Sequence, residues 1–220
     1  MSRRGEGSRL GRDARKQRTR EALMEAALSL MGAGKGFTGL SLREVTREAG
    51  VVPTSFYRHF KDMDDLGLSL VEASGIRLRR LLREARKQRV PGEDIIRHSV
   101  RIYRDYLEQN RLHFYFVAGE RGGGSPLIRA AIRAEVSHFS NEMASDLRHL
   151  DLFPQLSSAS LRMICALVVT TMLNAAVDIL DLPKNQPQAE REMMDHFVRQ
   201  IRLIFIGAVH WRDAADVVGG

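Results

Sequence analysis

Apolar positions recur along nearly the whole chain with the spacing of α-helices. Leu23, Ala26, Ala27 and Leu30 show it near the N-terminus, since residues three and four apart share one face of a helix. No alternating strand pattern of useful length occurs, so the sequence predicts an all-α fold. The predicted helices cover residues 13–31, 41–49, 53–60, 62–88, 93–109, 112–120, 125–150, 157–180 and 187–210.

Residues 39–61 carry the most informative pattern. Ser41 and Glu44 have the spacing of a capping box, in which a hydroxyl and a carboxylate satisfy free backbone N–H groups at the start of a helix. Gly50 is placed to end that short helix, and Pro53 suits the first turn of the next one. Two short helices joined by a tight turn make a helix-turn-helix, which places one helix in the DNA major groove.

The charge is concentrated toward the N-terminus. The chain of 220 residues has a formal net charge of +7, and residues 1–20 alone hold eight Lys or Arg against Glu6 and Asp13. A basic end beside a helix-turn-helix favours contact with a polyanion, whereas the simpler alternative is a solvated charged surface. The single Cys165 cannot form an internal disulfide. With no signal peptide in view, we expect a cytoplasmic protein.

The helix-turn-helix residues resemble the TetR family of transcriptional regulators. The phrase P-T-S-F-Y-R-H-F at 53–60 is similar in particular to the FabR/DesT branch of unsaturated-fatty-acid regulators. The resemblance implies an N-terminal three-helix DNA-binding domain and a C-terminal helical domain for ligand binding and dimerisation. The residues that carry it are Leu40, Ser41, Gly50, Val51, Thr54, Phe56, Tyr57, His59, Phe60, Lys61 and Leu66.

With this resemblance the chain divides into four segments. Residues 1–11 are predicted to be a flexible basic arm, and 12–62 the DNA-binding domain. Residues 63–212 would form the ligand-binding and dimerisation domain, and 213–220 an unordered tail.

Two groups of side chains are predicted to contact DNA. The first lies at the start of the second motif helix, where side chains face base edges: Pro53, Thr54, Ser55 and, one turn on, Arg58. The resemblance adds Arg43 as a further base contact, and Tyr57, His59 and Lys61 as phosphate contacts. Phosphate contacts orient a protein on DNA and make its binding depend on salt. Phe56 and Phe60 are interpreted as core residues.

The remaining helices are predicted to form a dimer seam and an effector pocket. Helix 157–180, which contains Leu173, is apolar nearly all round, and Phe197, Ile201, Ile204, Phe205 and Ala208 make a stripe on the last helix. Leu173 and Ile204 are predicted to lie at the seam. Ordinary core packing would explain the same pattern. The proposed apolar pocket residues are Tyr103, Leu107, Phe114, Val117, Ile132, Phe139, Met143 and Leu173.

The resemblance to fatty-acid regulators implies that this pocket binds a long-chain acyl-CoA. The CoA phosphates would need cations, for which Arg121, Arg129 and Arg133 are the candidates. No cofactor and no metal site are expected, because Glu135-x-x-His138 lacks a second copy. No nucleophile, base and orienting acid come together in the sequence, so we do not expect an enzyme.

The sequence thus predicts a homodimeric regulator, a repressor in its usual mode, that binds a palindromic operator. The resemblance to the fatty-acid regulators implies that saturated and unsaturated acyl chains change its operator affinity in different directions. Two alternatives stay open. One is a multidrug or other small-molecule-responsive repressor of the same family. The other is an architectural protein that binds DNA without regard to sequence.

Overall fold

The computed structural model describes residues 3–87, 94–183 and 185–213. In this part of the chain the structure is helical, with nine α-helices and one 3-10 turn, Phe37–Gly39. The helices are α1 (Arg3–Gly32), α2 (Leu42–Glu48), α3 (Pro53–Phe56), α4 (Met63–Lys87), α5 (Ile95–Gln109), α6 (Arg111–Arg121), α7 (Pro126–His149), α8 (Ser158–Asp181) and α9 (Pro187–His210). The all-α prediction is confirmed, and most predicted ends lie within two residues of the observed ones.

The predicted flexible arm is wrong for residues 3–11. Helix α1 begins at Arg3, ten residues before the predicted start. The prediction rested on a composition rich in Ser, Arg and Gly, but each glycine costs a helix only about 1 kcal/mol relative to alanine. No proline occurs before Pro53, so nothing in this segment forbids the helix. The predicted tail, residues 213–220, lies outside the described residues except for Asp213.

The N-terminal core joins the DNA-binding segment to the following helices. It contains Leu23 and Ala27 of α1, Val45 of α2 and Phe56 of α3, together with Leu66 and Leu70 of α4. Three more members, Phe116, Ile128 and Ile132, belong to α6 and α7. The two predicted domains therefore share one continuous hydrophobic cluster across residue 62.

A second core fills the space among the last six helices. It runs from Leu82 on α4 to Ala208 on α9 and is built around α8, which packs against α5, α6, α7 and α9. By length and composition α8 is also long and apolar enough to cross a membrane, with a mean hydropathy of 2.0 over its most apolar eighteen residues. In the fold 39% of those eighteen residues are buried.

Two glycines let α4 approach α7 closely. A side chain at Gly67 would lie 2.5 Å from the Ile128 methyl group and 2.9 Å from the Phe37 ring. One at Gly75 would collide with the Glu135 carboxylate. The neighbours of Gly67 belong to the packed core, so this position fixes how α4 lies on the body of the protein, whereas the neighbour of Gly75 is the end of the Glu135 side chain.

The acid sensitivity of the capping box is the first testable prediction. Hydrogen bonds from Lys35 and from Ser41 lower the pKa of Glu44 to about 2. A lowered folded-state pKa contributes stability above the unfolded pKa, and this is lost as the pH falls through the folded value. Glu44→Gln should therefore unfold more easily than wild type at pH 7. The difference should shrink between about pH 4.5 and 2, as measured by urea denaturation at each pH.

The control for this experiment is Glu48→Gln, which removes a carboxylate at the other end of α2. A gap between wild type and Glu44→Gln that persists unchanged at pH 2 would contradict the assignment.

Candidate nucleic-acid interface and effector cavities

The predicted capping box is present at the start of α2. The Ser41 hydroxyl accepts from the Glu44 backbone N–H at 3.3 Å, and the Ser41 N–H donates to the Glu44 carboxylate at 3.0 Å. Four backbone donors at a helix start have no partner within the helix. The box satisfies two N–H groups at this end and fixes where α2 begins.

The turn between the motif helices also follows the prediction. Gly50 adopts φ 66°, the left-handed conformation in which glycine carries no steric penalty. The Val51 N–H donates to the Thr46 carbonyl at 2.9 Å, which closes the end of α2. Pro53 occupies the first turn of α3, where its missing N–H leaves no bond unmade.

Helix α3 is shorter than predicted. It spans Pro53–Phe56 and continues as a turn through His59, instead of running as regular helix to Phe60. The Arg58 N–H bonds the Ser55 carbonyl three residues back, at 3.3 Å. The Phe60 N–H still donates to the Phe56 carbonyl, four residues back, at 3.0 Å. The backbone after Phe56 therefore narrows to a 3-10-like turn and keeps one α-helical hydrogen bond.

Burial separates the core residues of this segment from its contact residues. Phe56 is 0% and Phe60 2% exposed, which confirms their interpretation as core. Tyr57 between them is 66% exposed. The other predicted contacts all have accessible surface, half-buried for Ser55 and His59 and exposed for Arg43, Pro53, Thr54, Arg58 and Lys61. All eight therefore remain candidates for DNA contact.

A cationic cleft of about 390 Å³ lies between α1 and the end of the motif. Its lining comprises Asp13, Lys16, Gln17, Arg20, Arg58 and His59. Desolvation, and then the positive charges of Lys16, Arg20 and Arg58, lower the pKa of His59. Its buried Nδ1 has no hydrogen-bond partner. Such a cleft suits an anion, for example a DNA phosphate.

The sequence did not predict that side chains of α1 line this cleft. Only the summed charge of residues 1–20 pointed there, without naming a residue. Arg20 also donates to the Ser69 hydroxyl at 2.8 Å and lies 4.9 Å from the centre of the Phe60 ring. It thus connects the motif to α4.

Two apolar cavities lie in the body of the protein. The α4 cavity, about 60 Å³, is bounded by α4, α5, α6, α7 and α8. The α9 cavity, about 240 Å³, is bounded by α4, α5, α7, α8 and α9 and by the loop after α7. Phe139 and Met172 line both, so these two side chains separate one cavity from the other.

A third space, the Arg121 groove, adjoins the α4 cavity. It measures about 180 Å³ and is lined by residues of α6 and α8, including Arg121 and Asn174. Phe114, Val117 and Leu173 line both the groove and the α4 cavity. The Arg121 guanidinium donates to the Asn174 side chain at 2.7 Å. The groove therefore gives the apolar interior a polar, cationic margin.

Most predicted pocket residues line these spaces. Tyr103, Phe114, Val117, Ile132, Phe139 and Leu173 line the α4 cavity, and Phe139 and Met143 line the α9 cavity. Burial raises the pKa of Tyr103, whose hydroxyl donates to the Met172 carbonyl at 2.8 Å. Leu107 is fully buried in the core instead and lines none of the three spaces.

The three arginines predicted to bind the CoA phosphates lie in different surroundings. Arg121 lies at the groove, whereas Arg129 donates to the Gly123 carbonyl and lines none of the three spaces. Its charge also faces Glu120, a buried carboxyl whose pKa desolvation raises. Arg133 is exposed on α7.

One charged pair in the α4 cavity was not predicted from the sequence. Arg79 of α4 and Glu135 of α7 form an ion pair and both line the cavity. They are separated by 56 residues in sequence, so no local spacing could have indicated the pair. Glu135, which belongs to the Glu135-x-x-His138 pattern, is thus paired with the Arg79 guanidinium. Among the described residues no group of three or more His, Cys, Asp or Glu is placed to hold a metal ion.

A helix-turn-helix on a helical, cavity-bearing body is the architecture of a ligand-responsive transcription regulator. Two family models match this chain. Residues 23–70 match that of bacterial regulatory proteins of the tetR family, and residues 92–200 match the tetracyclin repressor-like C-terminal domain. The chain belongs to the TetR family. It is a DNA-binding transcription regulator and not an enzyme.

Solved structures share this fold at low sequence identity. A putative tetR family regulator from Shewanella sp. PV-4 is 18% identical with a TM-score of 0.63, covering 83% of this chain and 97% of its own. The fatty acid degradation regulator FadR of Bacillus halodurans is 14% identical with a TM-score of 0.62, covering 82% and 94%. FadR of Bacillus subtilis in complex with stearoyl-CoA is 14% identical with a TM-score of 0.58, covering 81% and 97%.

The second testable prediction separates phosphate contacts from base contacts. Replacing Tyr57 with Phe or Lys61 with Gln should weaken binding to all DNA, and Lys61→Gln should lower the salt slope by about one. Replacing Arg58 or Thr54 with Ala should instead relax sequence choice, by about 1–3 kcal/mol for Arg58. Fluorescence anisotropy on operator and scrambled duplexes at several salt concentrations measures both effects.

The control is Arg47→Gln, which removes an exposed charge at the end of α2. If the Arg58 variant keeps full discrimination at every operator position, α3 is not in the groove as predicted.

Proposed function

We propose that this protein is a homodimeric regulator, usually a repressor, of unsaturated fatty-acid synthesis or desaturation genes. Its operator affinity responds to the saturation of a long-chain acyl-CoA, as in the FabR/DesT branch that the motif resembles. The observation that carries this proposal is the row of three adjoining spaces: the α9 cavity, the α4 cavity and the Arg121 groove.

The two cavities suit a hydrocarbon chain. Their walls are mostly apolar side chains, with the charged Arg79 and Glu135 as the exception in the α4 cavity, and Phe139 and Met172 line both cavities. Methionine is unbranched and adaptable, so Met172 could move aside for a ligand. Each methylene removed from water contributes roughly 0.8 kcal/mol, which makes a long chain in a joined cavity a strongly bound ligand. A cis double bond bends the chain and would meet the Phe139 constriction differently from a straight chain.

The groove suits the CoA end of the same ligand. Phosphates need cations, and Arg121 supplies one at the margin of the apolar interior. Among the predicted cations Arg121 is favoured over Arg129, whose guanidinium already serves the Gly123 carbonyl. FadR of Bacillus subtilis, whose fold is similar, was solved with stearoyl-CoA, and this adds support for an acyl thioester.

Helix α4 is the connection from cavity to DNA. Gly75 and Arg79, near the middle of α4, line the α4 cavity. At its N-terminal end the Asp65 carboxylate accepts from the Lys61 N–H at 2.8 Å, directly after the motif. The Arg20 link from Phe60 to Ser69 strengthens this joint. A ligand that displaces α4 in the cavity would therefore move α3, and it shifts operator affinity only as far as its affinities for the two positions differ.

The dimer seam is assigned to the exposed apolar side of α8 and α9. Met163 and Leu167 of α8 and Leu203, Ile206 and Val209 of α9 are each 43% exposed or more. Apolar side chains exposed together indicate a partner surface. For a TetR-family regulator the expected partner is a second copy. Leu173 and Ile204 pack partly buried against the core, and their place at the seam stays a prediction.

The third testable prediction concerns this seam. Leu203 is 70% exposed in the single chain, so Leu203→Glu should leave the fold intact. In a dimer it would bury an unpaired charge, at a cost of several kcal/mol. Sedimentation should show a monomer, and operator affinity should fall with it. Leu127→Glu, the same change on an exposed leucine of α7, is the control and should remain dimeric. A dimeric Leu203→Glu variant would place the seam elsewhere.

The fourth testable prediction concerns the effector. Calorimetry should show palmitoyl-CoA binding at about micromolar affinity or tighter, with free CoA far weaker, because the chain supplies most of the binding energy. Palmitoyl-CoA and oleoyl-CoA should change operator affinity differently in a gel-shift assay. Equal effects from both thioesters, or none from either, would contradict the fatty-acid proposal.

A cavity-filling variant tests whether the acyl chain occupies the α9 cavity. Met143→Trp narrows the α9 cavity and should weaken palmitoyl-CoA about tenfold, since overpacking costs about 1–3 kcal/mol, while a decanoyl thioester is affected less. Leu127→Trp, at an exposed leucine of α7, is the control. Equal loss for both chain lengths would remove the α9 cavity from the binding site.

A further inference from the structure

The Arg79–Glu135 pair places two charges in the wall of an otherwise apolar cavity. Both side chains line the α4 cavity beside residues such as Phe114 and Ile132. Both are also mostly buried, with side-chain exposures of 17% and 25%. Burying charge is costly unless each charge keeps its partner. A ligand with apolar atoms alone would leave this pair as it is.

The pair belongs to a ladder that ties α4 to α7. Outside the cavity, Arg83 binds Glu142 at 3.1 Å, and Glu142 also lies 3.7 Å from the Arg79 Nε atom. These outer groups are more exposed, at 40% for Arg83 and 37% for Glu142. Exposed ion pairs contribute little, about 0–1 kcal/mol. The inner pair is therefore the member of the ladder whose exchange would matter most.

A glycine makes room for the inner pair. The Glu135 carboxylate reaches Arg79 across Gly75, where any side chain would collide with its oxygen. The contact between α4 and α7 is thus built around the carboxylate at this point. Moving Glu135 out of this place loosens α4 at the cavity, one end of the connection to the DNA-binding motif.

We propose that Arg79 is a binding site for the anionic head group of a chain-like ligand, and that this head displaces Glu135. The inference rests on the proposed function in that an acyl chain fills the cavity. An anionic head is required, because charge-assisted hydrogen bonds are roughly twice as strong as neutral ones and a neutral head would not replace a carboxylate. The anion is the carboxylate of a free long-chain acid or a phosphate of its CoA thioester.

Exchange at Arg79 couples binding to release of α4. While Glu135 holds Arg79, α4 is tied to α7 beside the cavity. When the ligand's head takes Arg79, Glu135 loses its partner and the inner tie between the helices is broken. Arg79 then contributes to ligand affinity, and Glu135 competes with the ligand. The two residues of one ion pair therefore have opposite effects on binding.

The test compares Arg79→Gln and Glu135→Gln with two matched controls, Arg83→Gln and Glu142→Gln, which make the same charge changes in the outer ladder. Palmitate, palmitoyl-CoA and the neutral 1-hexadecanol are titrated into each full-length variant by calorimetry. Arg79→Gln should weaken the anionic ligand about tenfold or more, the size of one hydrogen bond to a charged group. Glu135→Gln should tighten it by a similar factor. The controls should stay within about twofold, the size of an exposed pair.

A gel-shift assay without ligand gives the second readout. The operator affinity of Glu135→Gln should move toward the value that wild type reaches with saturating ligand, whereas Glu142→Gln should resemble wild type. The ligand whose affinity changes more in Arg79→Gln and Glu135→Gln, palmitate or palmitoyl-CoA, carries the anion that Arg79 binds. The affinity for hexadecanol should be the same in wild type and in both of these variants.

Three results would overturn the inference. Both inner variants could change affinity in the same direction, as a purely structural pair would. Hexadecanol could respond as the anions do. Binding of none of the three ligands to wild type would refute the proposed function as well, which distinguishes that failure from a failure of the head-group site alone.

Discussion

The close approach of α4 to α7 is the constraint on which the rest of this structure depends. Gly67 lets Phe37 and Ile128 pack directly against the α4 backbone, and Gly75 gives the Glu135 carboxylate its place. Native cores are packed as tightly as organic crystals, so an element held this closely moves as a unit. A displacement at Gly75 is then carried along α4 and not absorbed beside it.

The shared N-terminal core explains why such a movement would reach DNA. Phe116 of α6 and Ile128 of α7 pack in the same cluster as Val45 and Phe56 of the motif. The DNA-binding segment is therefore attached to the body through α4 and also through direct packing. Arg20 adds a polar connection between Phe60 and Ser69. A small shift in the body thus has several physical routes to α3.

Local chemistry was readable from the sequence, and contacts between distant segments were not. The capping box of Ser41 and the turn at Gly50 depend on neighbours within a few residues, so their pattern predicts them directly. Phe56 and Phe60 could be assigned to the core on the same basis. The pair of Arg79 with Glu135 depends on how α4 lies on α7, which no local spacing encodes. Leu107, assigned to the pocket, shows the converse: apolar type alone does not distinguish a cavity wall from solid core.

The error at the start of α1 has a related cause. Glycines near Arg3 suggested a flexible arm, yet isolated glycines weaken a helix without ending it. The seam prediction at Leu173 and Ile204 rests on the apolar pattern of the last two helices and stays a prediction. Apolar residues surround α8, so the sequence does not tell which side is exposed. The fold shows that Leu167 on α8 and Leu203 on α9 are both exposed to solvent.

The central claim is that a ligand in the α4 cavity moves α4 and so changes the separation of the two α3 helices in a dimer. The most direct measurement is the distance between spin labels at Arg47→Cys in the two protomers, by pulsed electron resonance, with and without palmitoyl-CoA. Arg47 is exposed on α2, whereas Cys165 is fully buried and should not take the label. The account predicts that the distance distribution shifts on binding, toward or away from the separation of about 34–36 Å that successive major grooves require. An unchanged distribution under conditions where the ligand is bound and operator affinity changes would contradict it.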